Sequence, residues 1–342
     1  MKKVIGILII TVLMMAALPG SVSAGGSSAP SSGSGSGTSG APAYKWRMAL
    51  NSVAGDNAYD TGAFFAEKVK ELTGGRVEVQ LFGGAALGST SEVLEGMAKG
   101  VANVMVESIG TLATLDKKAN IDPTPYLYSG YDHFMKVWTS PLGEEMRTAI
   151  GNTANKKLMG AAYRGPRIVT ATKRMQKIED FAGFKLRAPN LEMYLKTWQW
   201  LKATPTPMAV NEVYTALQQK TVDGQENPAP DNLVYKFDEV CKFWIRTNHV
   251  YSCNTIIMDL NYFNSLPPDI KSKVEEAANY ATDRMSKLQL ERDKAADGKI
   301  LAAGCELIEV DQKAFAEYFK DFATQNFQYL ADWVERIRKM DS

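Results

Sequence analysis

The sequence predicts an α/β fold in two lobes, and three observations carry that expectation. Its 342 residues suffice for two domains of ordinary size, and 45% hydrophobic with 23% charged content describes a chain able to bury a core. Early in the folded part, a strand, a helix and a second strand follow in the β-α-β order that builds a parallel sheet under a covering helix. Late in the chain, an apolar pattern predicts a helix upward of ~30 residues, longer than one small domain and suited to span two.

The chain opens as an export signal. Lys2 and Lys3 precede Val4 to Leu18, a nearly all-apolar run shorter than the roughly 20 residues of a membrane span. Pro19-Gly20 breaks that run, and Val22-Ser23-Ala24 offers small residues to signal peptidase, so residues 1–24 are expected to be removed. No cysteine follows the cut, which excludes lipid attachment there, and the product is expected to be periplasmic. Residues 25–43 are Gly, Ser, Ala, Pro and Thr without charge, a tether that cannot bury a core. A net charge of +1, with no basic run after Lys2-Lys3, excludes nucleic acid as a partner.

The folded part begins with a strand over Tyr44 to Asn51. A loop through Gly55-Asp56-Asn57 leads to an amphipathic helix from Tyr59 to Thr73, with Phe64, Phe65, Val69 and Leu72 on one side and Gly74-Gly75 as its stop. Arg76 to Phe82 alternates as a second strand. The Gly83 to Gly88 segment has neither dinucleotide nor P-loop spacing and reads as a turn before a helix from Ser91 to Lys99. Val101 to Ser108 is a third strand, with Glu107 near its end as an acceptor for ligand hydroxyls or an amine, or as an ordinary strand-end ion pair. Asp122 to Tyr126 is stiffened by prolines. Helices over 131–139 and 142–152 and a strand over Lys157 to Tyr163 follow.

The stretch from Tyr163 to Pro228 holds the candidate binding residues. Phe184 to Arg187 reads as a strand ended by Pro189, which places Arg187 at a strand end, where α/β folds put ligand groups. A guanidinium there suits a ligand carboxylate, because its N–H groups form a two-pronged, charge-assisted bond, or it serves an ordinary structural salt bridge. Arg167 and Asn227 are the other candidates, Asn227 being held extended by Pro228. A helix over 191–202 carries Tyr194, Trp198 and Trp200, expected in the core. Residues 204–208 read as irregular, and Asn211 as the cap of a helix over 212–219. Strands over 243–247 and 255–260 precede the long helix from Leu266 to Ala302, a strand over 306–310 and a closing helix over 312–339. Cys241 and Cys253 flank a reversal that would let them face each other, with two buried thiols expected over a bridge.

Nothing marks a catalyst. His133 and His249 are far apart and expected to be structural, and no zinc, nucleophile-elbow, Walker or dinucleotide motif occurs. No cofactor and no metal are expected. Two arginines, an amide and a glutamate without a nucleophile suit recognition rather than turnover.

From Tyr44 onward the chain resembles the TRAP transporter solute-binding proteins of DctP type. Phe181 to Pro189 (FAGFKLRAP), Thr206-Pro207-Met208, Glu212 to Gln219 (EVYTALQQ) and Val222 to Pro228 (VDGQENP) carry the likeness, in order and at consistent spacing. The resemblance implies a periplasmic-binding-protein-like α/β fold, two lobes joined by a hinge and a long lobe-spanning helix. Residues 44–164 with 253–292 would form one lobe, and 165–252 with 293–342 the other. It implies that Arg187 pairs with the carboxylate of a small organic acid, supported by Arg167 and Asn227, with Glu107 touching its polar groups. Asn254, Val210 and Ser89 are further cleft candidates by position. Sialate-binding members place an arginine just after that glutamate, where Ser108-Ile109-Gly110 stands here, which turns the expectation away from sialate. A hydroxylated monocarboxylate (a uronic, aldonic or hydroxy acid) is expected. A C4-dicarboxylate with Arg167 as second anchor comes next, then an aromatic keto acid if Tyr59 or Trp198 lines the cleft. The implied partner is a TRAP membrane permease, served by a monomer; a ligand-sensing module of a membrane sensor is the rival.

Overall fold

The structure, a computed structural model, describes residues 41–341. The expected export signal and nearly all of the tether lie outside the described residues.

The first sheet forms where apolar residues alternate. Strand β1 (Tyr44–Ala49) lies parallel to both β2 (Val77–Phe82) and β3 (Val104–Ser108), as the β-α-β order requires. Helix α1 (Asn57–Leu72) covers them, burying Phe65 and Val69, and starts where the Asp56 carboxylate accepts the Ala58 amide at 2.8 Å. The glycine-rich turn after β2 feeds α2 (Thr90–Gly96). Ser89 caps α2, and Glu92 returns the bond to the Ser89 amide at 2.8 Å. Helices α3 (Tyr131–Trp138) and α4 (Pro141–Ala154) follow, α4 opening on a Ser140 cap and ending at Asn155 in the left-handed region.

Strand β4 (Lys156–Ala171) is the spine of the molecule. The strand expected over Lys157 to Tyr163 instead runs for 16 residues, through Pro166, which cannot donate to a ladder. The proline is tolerated because β4 changes partners there. Its first part pairs with antiparallel β9 (Tyr251–Asp259), and the register shifts at Met159/Ala162 and at Tyr163/Pro166. From Arg167 onward it pairs with antiparallel β7 (Gly224–Pro228), and from Val169 also with antiparallel β8 (Phe243–Arg246). Gly160 and Gly165, with φ of 69° and 87°, sit in the two irregular stretches. A Cβ on Gly160 would overlap Thr282 Oγ1 and come within 2.7 Å of its Cγ2. Gly160→Ala is therefore expected to cost about 2–4 kcal/mol of stability from backbone strain plus overpacking. Urea denaturation checks this, and an unchanged midpoint would refute it.

The second sheet is built on the far half of β4. Strand β5 (Lys185–Ala188) leads through α5 (Glu192–Trp200) to β6 (Thr204–Pro207), then α6 (Val213–Gln218) and β7 (Gly224–Pro228); β5 lies parallel to both β6 and β7. Residues 204–207, read from sequence as irregular, are thus an edge strand, whose prolines need a partner on one side only. Asn211 does not cap α6. Glu212 occupies the cap position, and its carboxylate accepts the Ala209 amide at 3.1 Å. Helices α7 (Ala229–Val234) and α8 (Phe237–Val240) lead to β8 (Phe243–Arg246) and back to the first sheet through β9 (Tyr251–Asp259) and α9 (Leu260–Ser265).

Helix α10 (Pro268–Ala302), 35 residues long, joins the halves. Its early residues Ile270, Val274 and Ala281 pack with Trp46, Met48 and Val77 of the first half, and Ala296 and Ile300 pack with Ile168 and Trp244 of the second. Strand β10 (Glu306–Glu309) pairs with β8, and the expected single closing helix is three: α11 (Gln312–Phe319), α12 (Phe322–Asn326) and α13 (Ala331–Arg338). Helix α13 leans on the first half, where Arg336 donates to Glu145 at 2.7 Å and the Ile337 carbonyl lies 2.9 Å from His133 Nε2. Cys241, Cys253 and Cys305 are free and buried. Trp198 is fully buried between Phe181 and His249, and Tyr59 packs against the first core, so neither aromatic lines the cleft described next.

Candidate functional site

A cleft of about 560 Å³ opens at strand ends between the halves. Ser89, Glu107, Arg167, Arg187, Val210 and Asn227 line it. Asn254 does not: it is fully buried behind the wall, where its amide donates to Asn57 Oδ1 at 2.8 Å. Its position on β9, opposite Ser108, points its side chain into the joint rather than the cleft.

Three arginines approach the cleft, and each is satisfied to a different degree. Arg187, third residue of β5, is 3% exposed. Its Nε and Nη2 donate to the Met208 carbonyl at 3.0 and 2.6 Å. Two of five guanidinium N–H groups are thereby used, and the other three meet no acceptor among the described residues. Among the described residues no carboxylate lies within 4.0 Å of it. Burial pulls its pKa down to about 10 against the more distant charge of Glu226, and it remains a cation at neutral pH.

Arg167, 1% exposed, is engaged on both counts. Its Nε meets the Glu226 carboxylate, and its Nη2 donates to Glu226 Oε1 and to the Glu226 carbonyl, each at 2.8 Å. The Tyr194 ring lies 5.0 Å from its guanidinium carbon. His249 Nε2 comes within 3.1 Å of the same carboxylate. Burial works against ionisation of Glu226, but Arg167 and then His249 outweigh it and hold the pKa at about 2.

Arg164 went unselected in the sequence, although it sits in the stretch that supplies Arg167. Its side chain is 12% exposed, lines the cleft, and lies 3.8 Å from Asp231. Its buried Nε meets no acceptor, and no hydrogen bond to its other N–H groups forms among the described residues. Burial raises the pKa of Asp56, Glu107 and Asp231, the last to about 8 with help from the charge of Asp56; at all three, Arg164 opposes the rise. One guanidinium thus answers to three carboxyl groups. Only the fold brings Asp56 and Asp231 to Arg164, so no local pattern reveals the cluster.

Glu107 is anchored without an ion pair. Its Oε1 accepts the Ser108 amide at 2.9 Å and its Oε2 the Thr90 hydroxyl at 3.3 Å. Asn227 donates through Nδ2 to Gln225 Oε1 at 2.8 Å. Tyr194, Met208 and Tyr235 complete the wall, and among the described residues no His, Cys, Asp or Glu cluster suited to a metal occurs. A strong anion anchor at one end and a wall of hydroxyls, amides and carboxyls at the other can bind a small polar acid.

Comparison with known proteins agrees with this geometry. Residues 50–333 match the family described as bacterial extracellular solute-binding protein, family 7. A solute-binding protein of Roseobacter denitrificans is 31% identical over 293 residues, covering 84% of this chain and 89% of its own. Its crystal structure with bound L-galactonate has a TM-score of 0.82 to this chain at 27% identity, covering 87% of this chain and 99% of that one. A TRAP periplasmic solute-binding protein of a Polaromonas species, bound to D-erythronate, gives 0.80 at 26% identity, over 87% and 98% of the two chains. One from a Sulfitobacter species, with bound β-D-galacturonate, gives 0.81 at 25%, over 86% and 99%.

Proposed function

The chain belongs to the TRAP solute-binding protein family, and from that premise we propose that it receives a small hydroxylated organic acid through Arg187 and passes it to a TRAP membrane permease. The observation that carries this reading is the state of Arg187: buried, charged, steered by one carbonyl and left with three open N–H groups. A ligand carboxylate supplies both the missing charge and the missing acceptors. Each charge-assisted bond contributes about 1.5–3 kcal/mol net. Two such bonds with a few polar contacts reach the roughly −8 kcal/mol of micromolar binding without a cofactor. Relatives bound to L-galactonate, D-erythronate and β-D-galacturonate support a sugar acid as the class. A C4-dicarboxylate held at its second end by Arg167 has less support, because Glu226 already occupies that guanidinium.

A thermal-shift screen of organic acids on the mature protein tests the reading. Aldonates and uronates are expected to raise the melting temperature, and the corresponding neutral sugars are not. Glu107→Gln is expected to reorder the preference among hydroxylated acids while acid binding persists, since the carboxyl lines the cleft and is held by the Ser108 amide and the Thr90 hydroxyl. Neutral sugars that stabilise as well as their acids would remove the proposal. Co-purification with a permease separates a transport receptor from the ligand module of a membrane sensor.

A further inference from the structure

We propose that Arg164 is a second specificity residue, one that reads the uncharged oxygen atoms at the far end of the solute and so selects monoacids over diacids. The inference rests on the preceding reading of Arg187 and adds what the other end of the ligand must be.

A buried guanidinium has two separate needs, a counter-charge and hydrogen-bond acceptors. Arg167 has both from Glu226. Arg187 has a carbonyl acceptor but no carboxylate beside it, so what it lacks is negative charge. Arg164 is the reverse case. Carboxyl groups surround it without reaching it: Asp231 stands 3.8 Å away, beyond hydrogen-bond length, and Asp56 and Glu107 feel the same cation. Yet none of its N–H groups has an acceptor among the described residues, and its Nε is buried without one. A buried donor without an acceptor is costly, so a ligand atom that supplies one is favoured.

That atom is neutral for an electrostatic reason. A second carboxylate at Arg164 would enter a buried region that already disfavours ionised carboxyl groups, since burial raises the pKa of Asp56, Glu107 and Asp231 there despite Arg164, and any of them that is charged would repel it. A hydroxyl, ring or carbonyl oxygen accepts from Arg164 without adding charge. A hydroxyl can also donate its proton to a neighbouring carboxyl such as Glu107 or Asp56, both of which line the cleft. The ligand class is therefore an acid with one carboxylate and an oxygen-rich neutral tail, an aldonate or uronate rather than an aldarate or C4-diacid.

Calorimetry with matched acids tests this. The probes are galactonate and galactarate, gluconate and glucarate, and hexanoate as the tail without oxygens. Wild-type protein is expected to bind at least one aldonate at least about tenfold more tightly than its aldarate, a difference of about 1.4 kcal/mol, and more tightly than hexanoate. Arg164→Gln, which keeps an amide donor, is expected to narrow the aldonate–hexanoate gap, and Arg164→Met to narrow it further. An aldarate that equals or exceeds its aldonate on wild-type protein overturns the inference, even if both variants fail to fold, and leaves the Arg187 reading standing. Folded variants with an unchanged gap also overturn it. Binding of none of the five acids overturns both.

Discussion

Arg187→Ala is expected to weaken binding of an acidic solute by about 2–5 kcal/mol, because truncating one side of a buried, hydrogen-bonded charge pair leaves the other side desolvated and unpaired. That corresponds to a loss of roughly 30-fold to several thousand-fold in affinity. The fold should survive. Within the protein Arg187 gives only two hydrogen bonds to one carbonyl, and no ion pair breaks with its removal. Removing those bonds is expected to cost about 1–3 kcal/mol of stability, the range for an orphaned buried acceptor. Arg187→Lys should fall between wild type and alanine, since an ammonium keeps the charge but not the planar fork. Calorimetry on the purified variants, with thermal melting as the control for folding, checks both. Near wild-type affinity in Arg187→Ala would take this residue out of the site.

Glu226→Gln should have the largest effect on stability, about 3–5 kcal/mol, the range for breaking a buried ion pair from one side. Glu226 is fully buried, and its carboxylate is the only negative group within 4.0 Å of Arg167 among the described residues. The glutamine would leave Arg167 a buried cation without compensation and would deprive His249 of its anionic partner. Arg167→Met combined with Glu226→Gln should recover part of the loss, since no isolated charge remains. The pH dependence follows from the same pair. The folded pKa of about 2 lies below the ordinary 4.5, so this stabilisation is fully present above the ordinary value and disappears as pH falls from there through about 2. Urea denaturation at pH 7 and pH 3 should show a smaller gap between wild type and Glu226→Gln at the lower pH. An equal gap at both values would mean that Glu226 does not titrate as the ion pair requires.

Elements defined by their own periodicity were legible in the sequence. Helix α1, strands β1 and β2 and the long α10 follow from apolar spacing and their stop signals, which act within a few residues. Errors came where a distant partner overrides a local signal. A strand read over Lys157 to Tyr163 continues through Pro166, because β4 leaves β9 there and takes β7 and β8 as partners. Thr204 to Pro207 reads as irregular, but β5 accepts it as an edge strand. The closing helix breaks in three because its segments pack on different surfaces, α13 reaching across to α3 and α4.

For the site, the sequence by itself determined which residue types stand at the cleft: a guanidinium at the end of β5, an amide before Pro228 and a carboxyl near the end of β3. Those depend on strand ends and proline, which are local. Only the tertiary structure decided what each charge is free to do. Arg164, Arg167 and Arg187 are chemically identical side chains; they differ because folding brings Asp231 near the first, Glu226 onto the second and only a carbonyl to the third. In a buried cleft the low dielectric makes that choice of neighbour decisive, and neighbours set by long-range packing leave no trace in the spacing of residues along the chain.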